Sequence, residues 1–330
     1  MDKANIAIVG ATGMVGRTFL KILDEMEFCI DNLYLFSSEK SAGSVVKFRG
    51  CDYVVEKLDE HSFDRDIDIA LFSAGGGVSK IYAPIARDHG VVVVDNSSAW
   101  RMYDDIPLVV PEVNPDDIKW NNGIIANPNC STIQCVVPLK VLHDAFKIKR
   151  VVFSTYQAVS GSGIGGIKDL QNGVKGEPNT KYPHQIAYNC LPHIDEFLDN
   201  GYTKEEMKMI DETRKILNEP DMKITATTVR VPVMYGHSVS INVEFEKDFD
   251  IEQVYKLLEN AEGIVVQDDV FNNVYPMCID VAGHDEVYVG RVRRDYSVDS
   301  GVNLWVVADN IRKGAATNTV QIAKLLMDIM

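Results

Sequence analysis

Apolar and polar positions follow two different rhythms along this chain, and the change falls near residue 130. Residues 5–9 are a short apolar run that ends at Gly10. Residues 14–26 follow with apolar side chains at helical spacing: Met14, Val15, Phe19, Ile22, Leu23 and Met26. Further short apolar runs stand at 33–36, 67–72 and 91–94, with a helical stretch at 78–88 between the last two. Strands alternating with helices predict a parallel sheet covered on both faces. The all-valine run at 91–94 has the composition of a strand buried on both sides. Beyond a helical stretch at 133–146, the segments 150–159, 224–233, 239–246, 286–294 and 302–308 are longer and often alternate. They predict a mainly antiparallel sheet with one face covered. Residues 187–218 read as a largely helical, charged insertion, and 313–330 again carries helical spacing. No internal repeat or low-complexity segment interrupts the pattern.

Composition narrows the partners. Among 330 residues, 33 are Lys or Arg and 48 are Asp or Glu, a formal net charge of −15. Phosphate backbones require clustered basic residues, so a nucleic-acid role is excluded. Hydrophobic residues at 46% and charged residues at 25% describe an ordinary globular protein. No apolar run approaches the roughly 18 residues of a membrane span. Residues 1–16 faintly resemble an export signal, but they lack an extended apolar core and carry a glycine pattern with another explanation. The six cysteines (Cys29, Cys51, Cys130, Cys135, Cys190 and Cys278) form no CxxC pair and no zinc spacing. No metal site is expected, and reduced thiols in the cytoplasm are.

Four motifs carry chemistry. Gly10-Ala11-Thr12-Gly13-Met14-Val15-Gly16 follows a strand and opens a helix. There, glycines let a phosphate approach the backbone, and the helix N-terminus supplies N–H donors. The spacing is G-x-x-G-x-x-G, not the G-x-G-x-x-G of the usual dinucleotide fingerprint, and a plain glycine-rich turn is the competing reading. The next strand ends in Ser37-Ser38-Glu39-Lys40-Ser41. Hydroxyls with a lysine suit the 2′-phosphate of NADP, whereas Glu39 could serve NAD if the strand ran further. In Asn127-Pro128-Asn129-Cys130-Ser131-Thr132, a cysteine precedes a helical stretch, where the helix field stabilises a thiolate. A buried structural cysteine is the bland alternative. Arg230-Val231-Pro232-Val233-Met234-Tyr235-Gly236-His237-Ser238 joins a carboxylate-matching guanidinium to an acid–base imidazole.

Taken in order, these and four further motifs resemble the aspartate-β-semialdehyde dehydrogenase family in its bacterial form, over essentially the whole chain. The resemblance rests on GATGMVG at 10–16, SSEKSAG at 37–43, NSSAWRM at 96–102 and NPNCST at 127–132. It continues through TYQAVSGSG at 155–163, ETRKIL at 212–217, RVPVMYGHS at 230–238 and the terminal NIRKGAATNTVQIA. It implies an α/β protein. A Rossmann-like NADP-binding domain would span 1–129 with 313–330, and a catalytic and dimerisation domain with a mixed, mainly antiparallel sheet would span 130–312.

The resemblance also implies roles, position by position. Cys130 is the nucleophile that forms a thioester, His237 the general acid/base, and Gln157 the residue that orients the acyl-enzyme. Arg230 clamps the substrate carboxylate and Glu212 pairs with its ammonium. Arg101 and Lys215 hold the phosphoryl group, and Asn129 adjoins the substrate. NADP(H) would contact Gly10, Thr12, Gly13, Met14, Val15 and Gly16, then Ser38, Lys40 and Ser41, then Gly75, Ser160, Gly161 and Asn318. The family pattern often has Arg at the Lys40 position, and Lys keeps the charge without the bidentate contact. The implied reaction is NADPH-dependent conversion of L-aspartyl-4-phosphate to L-aspartate-4-semialdehyde, by a homodimer or a dimer of dimers. N-acetyl-γ-glutamyl-phosphate reductase is the competing enzyme; its acetylated substrate carries no charged amine, so Glu212 favours the aspartyl substrate. A silent dinucleotide sensor is the non-enzyme alternative, and the full set Cys130, Gln157, Arg230 and His237 speaks against it.

Overall fold

The computed structural model describes residues 3–330, which divide into two compact units. The first contains the chain up to Pro128 together with Ala315–Met330, and the second is Asn129–Gly314.

The first unit opens with β1 (Ala4–Val9), all six residues buried, and α1 (Met14–Glu25), whose inward face carries Phe19, Leu20, Ile22 and Leu23. Next come β2 (Ile30–Ser37), the hairpin β3 (Val45–Phe48) and β4 (Cys51–Val54), and β5 (Glu56–Lys57). β6 (Ile69–Phe72), α2 (Gly76–Asp88), β7 (Val92–Asp95) and β8 (Ile124–Ala126) complete the sheet. The strand order is β5-β2-β1-β6-β7-β8, and every pairing is parallel. In such a sheet, ligands bind at the carboxyl ends of strands where the order reverses, here at β1.

The second unit begins with α3 (Cys130–Phe146), β9 (Ile148–Gln157), α4 (Ile164–Val174) and α5 (Lys204–Leu217). β10 (Lys223–Arg230), β11 (His237–Phe245), α6 (Ile251–Glu259) and β12 (Ile264–Val266) follow. A short α7 (Cys278–Val281) leads to β13 (Val287–Arg294) and β14 (Gly301–Ala308). The sheet runs β10-β9-β11-β14-β13-β12; the two outer pairs are parallel and the three inner ones antiparallel. α3 packs along its inner strands and α5 on β10. Alternation puts Val151, Phe153, Thr155 and Gln157 of β9 in the interior and leaves Tyr156 exposed. After β14, a π-helical turn (Arg312–Ala316) leads into α8 (Thr317–Ile329), which returns to the first unit and packs on α1.

Several expectations change. Only 204–217 of the segment 187–218 is helical; 187–203 is turns and single bridges. Left-handed backbone at Tyr188 (φ 60°) and Asp195 (φ 69°), with Pro192 between them, breaks any helix there. The strand expected over 224–233 stops at Arg230, two residues before Pro232, which has no N–H for a ladder. The strand expected over 150–159 stops at Gln157, where a 3₁₀ turn, Val159–Ser162, begins. α4 was hidden by Gly165, Gly166 and Gly173. The latter two exist for close packing, since a Cβ on Gly166 would stand 2.5 Å from Val159 O and one on Gly173 2.8 Å from Ala187 Cβ.

Candidate active site

In the first unit, the glycine loop is shaped by contacts that exclude side chains. Gly10 (φ +89°) would carry a Cβ 2.5 Å from Ser73 O, and Gly16 would carry one 2.2 Å from Gly10 O. The loop therefore lies flat across the ends of β1 and β6. The backbone N–H groups of Gly10 and Ala11 donate to Phe36 O at 2.9 and 3.1 Å, which fixes the loop against β2. α1 then begins at Met14 with no side-chain cap and no acidic residue in its first turn. A helix start of this kind leaves N–H donors and a partial positive charge for an anion. A cavity of about 390 Å³ opens beside it, lined by Gly10, Thr12, Gly13, Ser37, Ser38 and Tyr82 among others. Thr12 Oγ1 and Ser37 Oγ lie 2.8 Å apart. A bare backbone, an uncapped helix start and hydroxyls around one cavity fit a dinucleotide pyrophosphate. Ser38 lines this cavity; Lys40 is exposed. β2 ends at Ser37, and Glu39 lies beyond it, 3.3 Å from Lys57, so no acid sits at the strand end to select NAD.

In the second unit, Cys130 is the first residue of α3. Asn129 is the N-cap, its Oδ1 accepting from Ser131 N (2.9 Å) and Thr132 N (3.4 Å). The thiol thus sits where a helix favours a thiolate. The π-helical turn passes close by: a Cβ on Gly314 would stand 2.9 Å from Cys130 Cβ. Asn129 is held from two sides. Its N–H donates to Glu212 Oε2 (2.6 Å), and its Nδ2 donates to Glu205 Oε1 (2.9 Å). Gln157, at the end of β9, donates from Nε2 to the same Glu205 oxygen (3.0 Å) and accepts from Thr155 Oγ1 (3.0 Å).

The register carries the network onward. Arg230 pairs with Gln157, and Ser238 pairs with Tyr156. Arg230 Nη1 donates to Ala158 O (2.7 Å), and Ala158 N donates to His237 Nδ1 (3.0 Å). An imidazole nitrogen that accepts from a backbone N–H carries no proton, so the neutral ring holds its hydrogen on Nε2. Nε2 is buried and has no hydrogen-bond partner among the described residues. Burial first, then the Arg230 guanidinium, lowers the His237 pKa to about 3, against the opposing charge of Glu205. His237 is therefore a neutral Nε2–H donor over the physiological range. Glu205 is the reverse case. Burial would raise it, but the Lys208 ammonium, Gln157 and Asn129 outweigh burial and hold its carboxyl at about 2.

The remaining predicted residues are placed as follows. Gly161 lies over the cluster: its added Cβ would be 3.0 Å from Arg230 Nη1 and 3.2 Å from His237 Nε2. Ser160 is buried and accepts from Asn310 Nδ2 (3.0 Å), while Asn310 Oδ1 accepts from Gly236 N (2.9 Å). Lys215 is half-buried on α5, three residues beyond Glu212. In the first unit, Arg101 is buried and donates to Asn127 O (2.9 Å) and Asn96 O (3.1 Å). Gly75 (φ 85°) precedes α2. Asn318 is fully buried, its Nδ2 donating to Val109 O (3.0 Å) and Asn127 Oδ1 (2.7 Å). Met14 and Val15 form the first turn of α1. Sequence reasoning missed Glu205, Asn310, Gly314 and Tyr82, and took Ser37 only as one of the hydroxyls at the end of its strand. For Glu205 a signal existed: it stands seven residues, two helical turns, before Glu212 and so shares its face. Among the described residues, no group of three or more His, Cys, Asp or Glu could hold a metal ion, and no helix is long and apolar enough to cross a membrane.

The sequence matches the family models described as the semialdehyde dehydrogenase NAD binding domain over residues 5–121 and dimerisation domain over residues 139–313. It is 57% identical to aspartate-semialdehyde dehydrogenase from Aquifex aeolicus, over 98% of this chain and 97% of the relative. The chain belongs to the aspartate-semialdehyde dehydrogenase family. Solved structures of aspartate-semialdehyde dehydrogenases repeat the fold. The Vibrio cholerae enzyme II, complexed with ASA, superposes with a TM-score of 0.94 at 50% identity, covering 99% of both chains. The Candida albicans aspartate-semialdehyde dehydrogenase with NADP does so at a TM-score of 0.78 and 26% identity, covering 98% of both. Membership makes this chain an oxidoreductase with an NAD(P)-binding domain.

Proposed function

We propose that the cluster around Cys130 converts L-aspartyl-4-phosphate to L-aspartate-4-semialdehyde through a thioester on that cysteine. The reaction belongs to the aspartate route to lysine and diaminopimelate, threonine, methionine and isoleucine. One observation carries the reading: Asn129, the cap residue beside Cys130, shares the Glu205 carboxylate with Gln157, and the next residue of the chain, Ala158, hydrogen-bonds both Arg230 and His237. The Cys130 thiolate attacks the acyl phosphate carbon, a C–S bond forms, and the C–O bond to phosphate breaks. The helix field of α3 lowers the cost of the thiolate. NADPH, when bound, supplies the hydride that reduces the thioester. His237 Nε2–H donates to the oxygen on which negative charge develops, and it keeps that proton when the tetrahedral adduct collapses and the thiolate leaves. Gln157 orients the acyl group. Arg230 takes the substrate α-carboxylate and Glu212 its ammonium, and the motifs assign Arg101 and Lys215 to the phosphoryl group.

We assign the NADP-binding role to the first unit, with Gly10–Gly16, Ser38, Lys40, Ser41 and Gly75 as its contacts and Asn318 toward the nicotinamide; the motifs also give Ser160 and Gly161 a cofactor-binding role. Catalysis and dimerisation fall to the second. Tyr275, Met277 and Trp305 line a cavity of about 440 Å³ on the face of its sheet away from α3, and the exposed Tyr156 packs against Trp305 beside it, a surface suited to a second copy of the chain. The six cysteines are all free thiols, which fits a cytoplasmic setting. The test is phosphate-dependent reduction of NADP with aspartate semialdehyde. Activity with this substrate, and none with N-acetylglutamate semialdehyde, is expected; the opposite preference would overturn the substrate assignment.

A further inference from the structure

We propose that Glu205 is a positioning residue that sets which way round the side-chain amides of Gln157 and Asn129 face, so that Gln157 can act only as a hydrogen-bond donor toward the acyl group on Cys130. The inference rests on the reading of Cys130 as the acylated nucleophile.

Glu205 is the second residue of α5, and the helix cap does not use it. Thr203 and Glu206 close the capping box, and Glu206 also accepts from Thr228 N. The Glu205 side chain instead turns inward, where the residue is 6% exposed. Its Oε1 receives Asn129 Nδ2 (2.9 Å) and Gln157 Nε2 (3.0 Å), and its Oε2 receives Lys208 Nζ (3.1 Å). An ionised carboxylate only accepts hydrogen bonds, whereas an amide has one donating end and one accepting end. Only the NH₂ ends of both amides can therefore face Glu205. A flipped amide would put oxygen against a buried, charged oxygen.

Both consequences fall on the reacting group. For Asn129, the locked orientation turns Oδ1 onto Ser131 N and Thr132 N, the cap of the helix that begins with Cys130. For Gln157, Oε1 takes the Thr155 hydroxyl and one Nε2 hydrogen goes to Glu205, so the second Nε2 hydrogen is the polar capacity that remains for an acyl oxygen. Thr155 cannot impose this by itself, because a hydroxyl rotates to donate or accept. The accept-only carboxylate decides. Lys208, which also pairs with Asp195 at 2.6 Å, keeps that carboxylate ionised in the interior.

The competing role is a buried ion pair with Lys208 that matters only to folding, and a double-mutant cycle separates the two. Glu205→Gln keeps the shape but can present either end to its neighbours. In the parent background it should lower kcat by about tenfold, the worth of one positioned hydrogen bond, with KM for aspartate semialdehyde within about twofold. In a Gln157→Ala background the same substitution should cost less than about twofold. Glu205→Asp, which keeps the accept-only charge, should recover part of the lost kcat. Equal losses in the two backgrounds, or no recovery with Asp, would overturn the proposal. Because an ammonium left without Glu205 can destabilise the chain, thermal midpoints are recorded for every variant, and losses of kcat are compared only among variants that remain folded at the assay temperature. Cys130→Ala is assayed in parallel. If it retains turnover, the thioester reading is wrong; if it is inactive while the Glu205 losses are additive, only the positioning role fails.

Discussion

The two units solve the problem of holding a phosphorylated ligand and a reactive thiol by opposite means. The dinucleotide cradle of the first unit is made from backbone. Its working parts are missing side chains at Gly10 and Gly16 and the bare start of α1, and they lie within seven residues of one another. The thiol cluster of the second unit is made from side chains, with Asn129, Cys130, Gln157, Glu205, Arg230 and His237 drawn from two helices and three strands or their ends. A backbone site fails when an atom is added. A side-chain site fails when one is removed, and there the loss spreads because each group orients the next.

The sharpest test of this contrast is Cys130→Ala. Turnover should fall by on the order of 10⁴-fold or more, as when a covalent nucleophile is removed, while NADP affinity stays within about twofold. Equilibrium binding and steady-state assays check both halves. Gly314→Ala asks whether the thiol site also depends on missing atoms. Its Cβ would press on Cys130 at 2.9 Å, so kcat should fall by about 10²-fold with KM for NADPH unchanged. Parent-like kcat would show that the π-helical turn can yield.

Acid should act on the side-chain site. Between pH 6.5 and about 3, the unfolded chain holds a proton on the His237 position that the folded protein does not. Stability therefore rises with pH across that window and is lost on acidification, at up to about 1.4 kcal/mol per pH unit. Glu205 contributes in the same sense lower down. Its folded carboxyl sits at about 2 against 4.5, so its contribution is present above 4.5 and fades as pH falls toward 2. Urea midpoints at pH 6.5 and 4.5 should differ, and His237→Gln should shrink the difference.

Gly10→Ala reverses the logic on the first unit. A Cβ at φ +89° and 2.5 Å from Ser73 O should cost about 1–3 kcal/mol and weaken NADP, with the alkylation rate of Cys130 unchanged. The smallest effect is expected at Lys40, which is exposed. Lys40→Ala should narrow the NADPH over NADH preference in KM by no more than about fivefold, since an exposed charge pair is worth up to about 1 kcal/mol. Equal use of both cofactors by the parent protein would remove the 2′-phosphate role from Ser38, Lys40 and Ser41.

Much of the fold is legible in the apolar pattern, because strand and helix periods are local properties. β1, α1 and α2 are readable from spacing alone, as is the antiparallel core of β9, β11 and β14. α4 is not, since its glycines look like loop until the atoms they approach are known. The turns at 187–203 look helical because charge and apolar spacing do not reveal the left-handed residues Tyr188 and Asp195. In the site, Cys130 and His237 carry recognisable chemistry in their own side chains. Glu205 does not: its spacing of two helical turns before Glu212 puts it on the same face, but among 48 acidic residues that spacing does not say which one is buried against two amides.

The sequence by itself determined the alternation of elements, the glycine loop, the cysteine at a helix start and the acidity that excludes nucleic acid, because each depends on neighbouring residues or on composition. Only the tertiary structure decided the register that pairs Arg230 with Gln157, the tautomer of His237 and the donor role of Gln157. Those depend on which polar atoms meet in the interior. Water is excluded there, so a carboxylate, a backbone N–H or an amide end each leaves its neighbour one favourable orientation.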